Sequence, residues 1–146
     1  MICCSLLFGC HDQSNKKYDQ QDRLFAYLQK EHIDFGKKTV LLVLQRELCS
    51  CTVDDTQLSY DILTSPKFNS YNRILIVPDS THSIVARLKL TQYYNKIKII
   101  SNNDDALKKN GLVFAVNRLF LLDKNEIIKT VNMHLTNHND LRSQLL

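Results

Sequence analysis

The sequence predicts an α/β fold with a central mixed sheet flanked by helices, in which three parallel strands precede a C-terminal antiparallel hairpin. The first observation is that short aliphatic runs alternate with segments of helical spacing, which implies parallel strands joined by helical crossovers. The second is that the last two strand-like runs are separated by only a short turn, which is typical of a hairpin. The length of 146 residues is sufficient for one domain with its own core.

The first four predicted elements are two helices and two strands in alternation. Apolar residues at helical spacing, or a β-branched and aliphatic run, define each of them. In order they cover residues 18–33 (helix), 39–45 (strand), 54–63 (helix) and 73–77 (strand). Gly36 is expected to separate the first helix from the first strand, and Pro78 stops the second strand.

Two further helices and one strand follow. The strand is expected over residues 97–100, and Gly111 is expected to end the second of these helices. Each helix has polar residues that can cap its start, namely Ser80 or Thr81 for the first and Asn103 or Asp104 for the second.

The last third of the chain has a different pattern. Residues 113–116, 119–122 and 127–131 are strand-like, and a short polar turn separates the last two runs. Asn125 in this turn is expected to adopt the left-handed conformation. A closing helix is expected over residues 139–146.

Composition and motifs argue against several classes of function. The net charge is +4, but the basic residues are scattered rather than interleaved with aromatic residues, so we expect no nucleic-acid partner. The chain has three glycines and lacks, after its first predicted strand, the Gly-x-Gly-x-x-Gly sequence of dinucleotide-binding folds. No apolar run reaches the length of about 18 residues that predicts a membrane-spanning helix. We expect no cofactor.

Three of the five cysteines, the last of them Cys10, lie in a short apolar stretch at the N-terminus. The four residues that end at Cys10, Leu-Phe-Gly-Cys, resemble the lipobox of a bacterial lipoprotein signal. This resemblance implies a signal remnant over residues 1–10, lipidation of Cys10, a polar tether over residues 11–21 and a domain over residues 22–146. It places the domain in the cell envelope, facing the periplasm from a membrane. The alternative is an apolar N-terminus that packs or frays.

The other two cysteines form the sequence Cys49-Ser50-Cys51, directly after the first predicted strand. A helix start follows, because Thr52 and Asp55 fit the capping-box pattern. The amides and positive dipole end of a helix stabilise a nearby thiolate, so this junction favours reactive thiols. Asp54 and Asp55 add negative charge that opposes this effect and Arg46 can offset them, so the sequence leaves the sign of the net effect open.

The order of elements and the position of these cysteines resemble the thioredoxin fold, in particular the membrane-anchored, extracytoplasmic thiol–disulfide oxidoreductases of bacteria. The segments that carry the resemblance are residues 40–44, Cys49-Ser50-Cys51 and residues 118–125. The last segment is similar to that family's hairpin, Pro-Thr-x-Phe-x-Leu-Asp-x-Asn-Gly. The resemblance implies exchange with protein thiols or disulfides of the envelope, with Cys49 as the attacking thiol and Cys51 as the resolving thiol.

The resemblance also implies a substrate groove lined by Arg46, Ser50 and Asn117. Counting back from Asp123, Asn117 occupies the position of the family's cis-proline. A cis bond before a residue other than proline costs about 2.5–4 kcal/mol, so we expect a trans peptide there. The groove is therefore expected to differ in shape from that of the family.

Two other departures from the family pattern keep alternatives open. The spacing is Cys-x-Cys instead of Cys-x-x-Cys, so that either Cys49 or Leu48 occupies the position of the nucleophile. The position of the family's buried acid is Val43 or Leu42, depending on that alignment. The competing interpretation is a non-catalytic binding or accessory lipoprotein that keeps the fold.

A metal site is the third interpretation considered. It requires more donors than two thiolates, and the histidines have no zinc-type spacing relative to the cysteines. We therefore expect surface histidines and no metal at the following positions: His11, His32, His82, His134 and His138.

Overall fold

The structure is a computed structural model that describes residues 20–45, 52–78, 93, 95–133 and 138–146. The predicted signal remnant, most of the predicted tether and the helix predicted to begin at Ser80 or Thr81 lie outside the described residues. The described helices are α1 (Gln21–Lys30), α2 (Thr52–Thr64), α3 (Ala106–Lys109) and α4 (His138–Leu145). The strands are β1 (Thr39–Val43), β2 (Asn72–Val77), β3 (Lys98–Ser101), β4 (Arg118–Asp123) and β5 (Glu126–Asn132).

The five strands form one sheet in the order β3-β2-β1-β4-β5. The pairs β1–β2 and β2–β3 are parallel, whereas β1–β4 and β4–β5 are antiparallel. The predicted combination of three parallel strands and a C-terminal hairpin is therefore confirmed. β1 lies at the centre, and all five of its residues are buried because helices cover both faces of the sheet.

Alternate side chains of β1 enter two different cores. Val40 and Leu42 belong to the α2 core, which contains the buried apolar residues of α2 and α4. Leu41 and Val43 belong to the α1 core, which contains those of α1 and α3. Successive side chains of a strand point to opposite faces, so an uninterrupted aliphatic run such as β1 supplies both cores.

The end of α1 lies before the predicted break at Gly36. His32 adopts a left-handed conformation with φ 57°. Its amide donates to the carbonyl of Gln29 at 3.0 Å, and the amide of Ile33 donates to the carbonyl of Leu28 at 3.1 Å. This pair of bonds is a Schellman motif. The left-handed position, which is usually glycine, is occupied here by His32.

The predicted end of α3 is confirmed; at its start the observed cap is not the predicted Asn103, and the side chain of Asp104, the other predicted cap, lies outside the described residues. Gly111 has φ 73°, and the amide of Leu112 donates to the carbonyl of Leu107 at 2.9 Å, again as in a Schellman motif. At the start of the helix, the side-chain oxygen of Asn102 accepts the amide of Leu107 at 2.8 Å. The helix begins with a 3-10 turn (Asn103–Asp105), so the side chain one residue earlier reaches the open amide.

Two other expectations in the last third are corrected. Residues 113–116 do not form a strand. β1 ends at Val43, opposite Arg118, so the residues before Arg118 have no strand beside them. In the hairpin turn, Lys124 and not Asn125 has the positive φ, 53°. The loop between Asp123 and Glu126 has two residues, and the left-handed conformation falls on the first of them.

Arg73 connects the end of α2 to the sheet. Its side chain is 5% exposed and donates to the carbonyls of Leu63 and Phe68 at 2.9 Å each, and to the side chain of Asn69. Burial lowers the pKa of Arg73, and Tyr93 has the opposite, smaller effect. A buried charge is tolerated here because neutral acceptors surround the guanidinium. Among the described helices, none combines the length and apolar character needed to cross a membrane.

Candidate functional site

The candidate site lies where β1 leaves the sheet. The described chain stops at Gln45 and begins again at Thr52, the first residue of α2. Residues 46–51 connect these two points, so the predicted site residues Arg46, Cys49, Ser50 and Cys51 lie outside the described residues, as does Cys10. The structure therefore describes β1 and α2, which flank the cysteine segment in sequence, and the residues that pack beside the end of β1.

The chain is held from both sides as it leaves β1. On one side the amide of Leu44 donates to the carbonyl of Ile76 in β2 at 2.9 Å. On the other side the amide of Gln45 donates to the side-chain oxygen of Asn117 at 2.8 Å. The last residues before the cysteine segment consequently have fixed partners in two neighbouring parts of the sheet.

Asn117 is the one predicted groove residue that the structure describes. It immediately precedes β4, and its carbonyl accepts the amide of Met133, the residue directly after β5, at 2.9 Å. The described residues include no cis peptide bond, and the bond before Asn117 is therefore trans. Asn117 lies next to the exit of β1, and its side-chain oxygen accepts the amide of Gln45.

Arg118 and Phe114 belong to the same end of the sheet and were not singled out from the sequence. Arg118 pairs with Val43, and its guanidinium carbon lies 5.6 Å from the ring centroid of Phe114. This geometry is that of a cation–π contact. A basic residue before an aliphatic run carries no such signal, because the contact depends on the path of residues 113–116 rather than on local spacing.

A small cavity of about 130 Å³ adjoins the exit of β1 on the α1 face. Its walls include Leu112, Val113 and Phe114, together with Gln45 and Lys108. Val113 is 64% exposed, whereas most of the large apolar side chains that the structure describes are buried. The strand expected at residues 113–116 is replaced here by an irregular segment that exposes an apolar side chain beside Gln45.

The position at which the resemblance implies a buried acid holds an apolar residue in either alignment. Leu42 and Val43 are both fully buried, one in each core. In the described part of the chain no group of three or more histidine, cysteine, aspartate or glutamate side chains could hold a metal ion. His138 contacts the carbonyl of Met133 at 3.2 Å, and His32 is exposed. The positions of His11, His82 and His134 are outside the described residues.

No protein-family model matches the sequence, and no curated protein matches it either. Solved structures do share its fold. A secreted disulfide oxidoreductase of Mycobacterium tuberculosis, homologous to E. coli DsbE, superimposes with a TM-score of 0.56 at 12% identity, covering 75% of this chain and 81% of that chain. A putative thioredoxin of Neisseria meningitidis gives a TM-score of 0.50 at 16% identity, covering 75% and 72%. The chain therefore has a thioredoxin-like fold, as its sequence predicted.

Proposed function

We propose that the chain carries out thiol–disulfide exchange with protein partners in the cell envelope through Cys49 and Cys51. The observation that carries the proposal is the position of these residues, directly between the fixed exit of β1 at Gln45 and the first residue of α2. The structure from Mycobacterium tuberculosis that shares the fold is a secreted disulfide oxidoreductase, which supports both the chemistry and a location outside the cytoplasm.

The proposed reaction has two exchange steps. The thiolate of Cys49 attacks one sulfur of a partner disulfide, which forms a mixed disulfide and releases the other partner sulfur as a thiolate. The thiolate of Cys51 then attacks the sulfur of Cys49, which closes the Cys49–Cys51 disulfide and releases the second partner sulfur. The partner gains two electrons and the chain loses two. The reverse sequence oxidises a partner dithiol.

The start of α2 supports thiolate formation in this proposal. A helix of 13 residues follows the cysteines, and its first amides and positive dipole end favour a negative charge on a nearby sulfur. Arg46, Ser50 and Asn117 would line the groove that receives the partner. A Cys-x-Cys disulfide closes a small ring, and strain in that ring makes the bond more easily reduced. We therefore propose an oxidant or isomerase rather than a strong reductant.

The proposed location rests on Cys10. Lipidation of Cys10 and a tether over residues 11–21 would hold the domain at the periplasmic side of a membrane. The test is incorporation of a labelled fatty acid by the full chain and by a Cys10→Ser variant in a bacterial host. Label in the parent chain and none in the variant supports the anchor, whereas equal labelling of both contradicts it.

A non-catalytic binding or accessory protein is the second candidate. The observation that favours it is the apolar pair Leu42 and Val43, both fully buried, where the family has a buried acid. Without that acid, the proton transfers of exchange would have to use solvent or another group. This candidate predicts that the two thiols have no role in binding a partner.

A redox titration separates the two candidates. The full chain with its other three cysteines replaced by serine is equilibrated in glutathione buffers. Free thiols are then alkylated, and the mass of the protein shows how many of them were reduced. We expect a reversible Cys49–Cys51 couple with a potential above roughly −230 mV, the range of glutaredoxin-like and isomerase-like proteins. Thiols that remain reduced, or a disulfide that opens only on unfolding, would support the binding protein instead.

The roles of the two thiols are tested by trapping. If Cys49 attacks and Cys51 resolves, Cys51→Ser accumulates mixed disulfides with partners and Cys49→Ser does not. Trapping by Cys49→Ser alone would instead mean that Cys51 attacks and Cys49 resolves, and it would contradict the proposed roles. The variant with serine at both positions is the background control.

A further inference from the structure

Beyond the last residue pair of β1 and β4, the side chain of Asn117 provides the next hydrogen bond to the chain that leaves β1. The ladder between β1 and β4 ends with Val43 opposite Arg118. Two residues further along, the amide of Gln45 has no strand partner and donates instead to the side-chain oxygen of Asn117 at 2.8 Å. This bond joins parts of the chain that are 72 residues apart in sequence.

Asn117 is itself fixed to the core. Its carbonyl accepts the amide of Met133 at 2.9 Å, and the side chain of Met133 is fully buried in the α2 core. On the far side of β1, Leu44 is bound to Ile76 at 2.9 Å. The amide of Gln45 is thus connected through Asn117 to the end of the hairpin, while the residue before it is connected to β2.

This anchor lies close in sequence to the thiols. Gln45 is four residues before Cys49, and a chain segment of that length spans at most about 14 Å when extended. The position and direction of Gln45 therefore limit where the Cys49 backbone can lie. Closing a Cys-x-Cys ring demands one narrow backbone geometry, and a segment with a fixed start loses less conformational entropy when it closes.

We propose that Asn117 is a positioning residue for the exchange site, which favours the Cys49–Cys51 disulfide by holding the amide of Gln45. The inference rests on the proposed function, since it concerns the redox equilibrium of that cysteine pair. Loss of the bond should lower the equilibrium constant for disulfide formation against glutathione by about two- to tenfold, which is the range of one net hydrogen bond. The potential of the pair should become correspondingly less negative.

The test compares three variants of the full chain in which Cys49 and Cys51 are the only cysteines. Asn117→Leu has a similar size and no acceptor, whereas Asn117→Asp keeps an acceptor oxygen. Asn72→Leu is the matched control, because the Asn72 side chain is likewise bonded to the backbone, here as a donor to the carbonyl of Asp34, but lies at the other end of β1. Each variant is measured by glutathione titration with thiol trapping and by urea unfolding.

We expect Asn117→Leu to lower the disulfide equilibrium constant and Asn117→Asp to restore it at high salt, where the added charge is screened. Asn72→Leu should lower stability and leave the equilibrium constant unchanged. Where Asn117→Leu does not fold, Asn117→Ser takes its place, because the shorter side chain does not reach Gln45.

The outcomes separate the two levels of the proposal. An equilibrium constant that a folded Asn117→Leu or Asn117→Ser protein leaves unchanged overturns the positioning role alone, as does an equal effect of Asn72→Leu. Failure of Asn117→Asp to restore the constant also overturns it. A parent chain with no reversible Cys49–Cys51 couple overturns the proposed function, and the positioning role with it.

Discussion

At Tyr27 the burial of the aromatic ring is favourable, but the burial of the hydroxyl group is not. Its side chain is 3% exposed, and its hydroxyl oxygen is buried without a hydrogen-bond partner among the described residues. The ring stabilises the α1 core through apolar burial, whereas the hydroxyl loses its hydration. Burial, and to a smaller extent the charge of Glu31, raises the pKa of Tyr27 to about 12. The phenol is therefore held neutral by the fold.

The first prediction is that Tyr27→Phe is at least as stable as the parent protein. Removing the unpartnered hydroxyl should raise the free energy of unfolding by about 0–2 kcal/mol, because no hydrogen bond is lost. Urea unfolding near neutral pH measures this difference. Tyr71→Phe, at a partly buried position, is the matched control for removal of a phenol.

The same variant has a predicted pH dependence. The pKa of Tyr27 is about 12 in the folded protein and 10.0 in its ordinary state, so the unfolded chain releases this proton first. The parent protein should lose stability as pH rises from 10.0 towards 12, and Tyr27→Phe should lack this part of the loss. A stability difference between the two proteins that stays constant over this interval would contradict the assignment.

At the scale of elements, the hairpin shows what sequence reasoning can locate and what it misses. Two strand-like runs around a short polar turn predicted β4 and β5 without any tertiary information. The residue with positive φ was predicted wrongly, because the preference of asparagine for that conformation favoured Asn125. The strand pairing puts the left-handed position on Lys124 instead. Pairing between strands therefore overrides the local preference.

The second prediction concerns this turn. Lys124→Gly should raise the free energy of unfolding by about 1 kcal/mol, because a non-glycine residue in the left-handed region stores strain that glycine does not. Asn125→Gly is the matched control and should be neutral or destabilising, since its φ is not positive. Urea unfolding of both variants is the measurement. The reverse order of stabilities would place the strained residue at Asn125.

Residues 113–116 are a second place where the local sequence preference does not predict the structure. Its composition favours a strand, but the structure gives it no neighbouring strand, and Phe114 packs edge-on against Phe120 with ring centroids 5.8 Å apart. Burial of one aromatic ring, together with the end of β1, decides the path of the chain here. Neither fact can be read from the segment itself.

At the scale of the whole molecule, the sequence predicted the sheet more completely than the site. Aliphatic runs such as β1 give a strong local signal, and the alternation of elements restricts how they connect. The bond between Gln45 and Asn117 has no local signal, because it depends on the register of β1 against β4. The resemblance predicted a groove position for Asn117, and the sequence gave no indication that its side chain holds the exit of β1.

The last prediction follows from the central position of β1. Leu41 and Leu42 are adjacent and fully buried, but Leu41 packs in the α1 core and Leu42 in the α2 core. Each replacement by alanine should lower the free energy of unfolding by about 2–5 kcal/mol. Because one strand joins both cores, each variant should still unfold in a single transition, with coincident changes in secondary and tertiary structure.

The matched control is Ile128→Ala, on β5 at the edge of the sheet, where the side chain is 61% exposed and a change within about 0.5 kcal/mol is expected. Far-UV and near-UV circular dichroism during urea unfolding provide the two readings. If Leu41→Ala or Leu42→Ala gave two separate transitions, the cores would be independent, and damage on one face would leave the other folded. A single transition for both variants means that the strand leading to the cysteine segment is stabilised by the whole domain. The exit of β1 then stays fixed as long as the protein is folded.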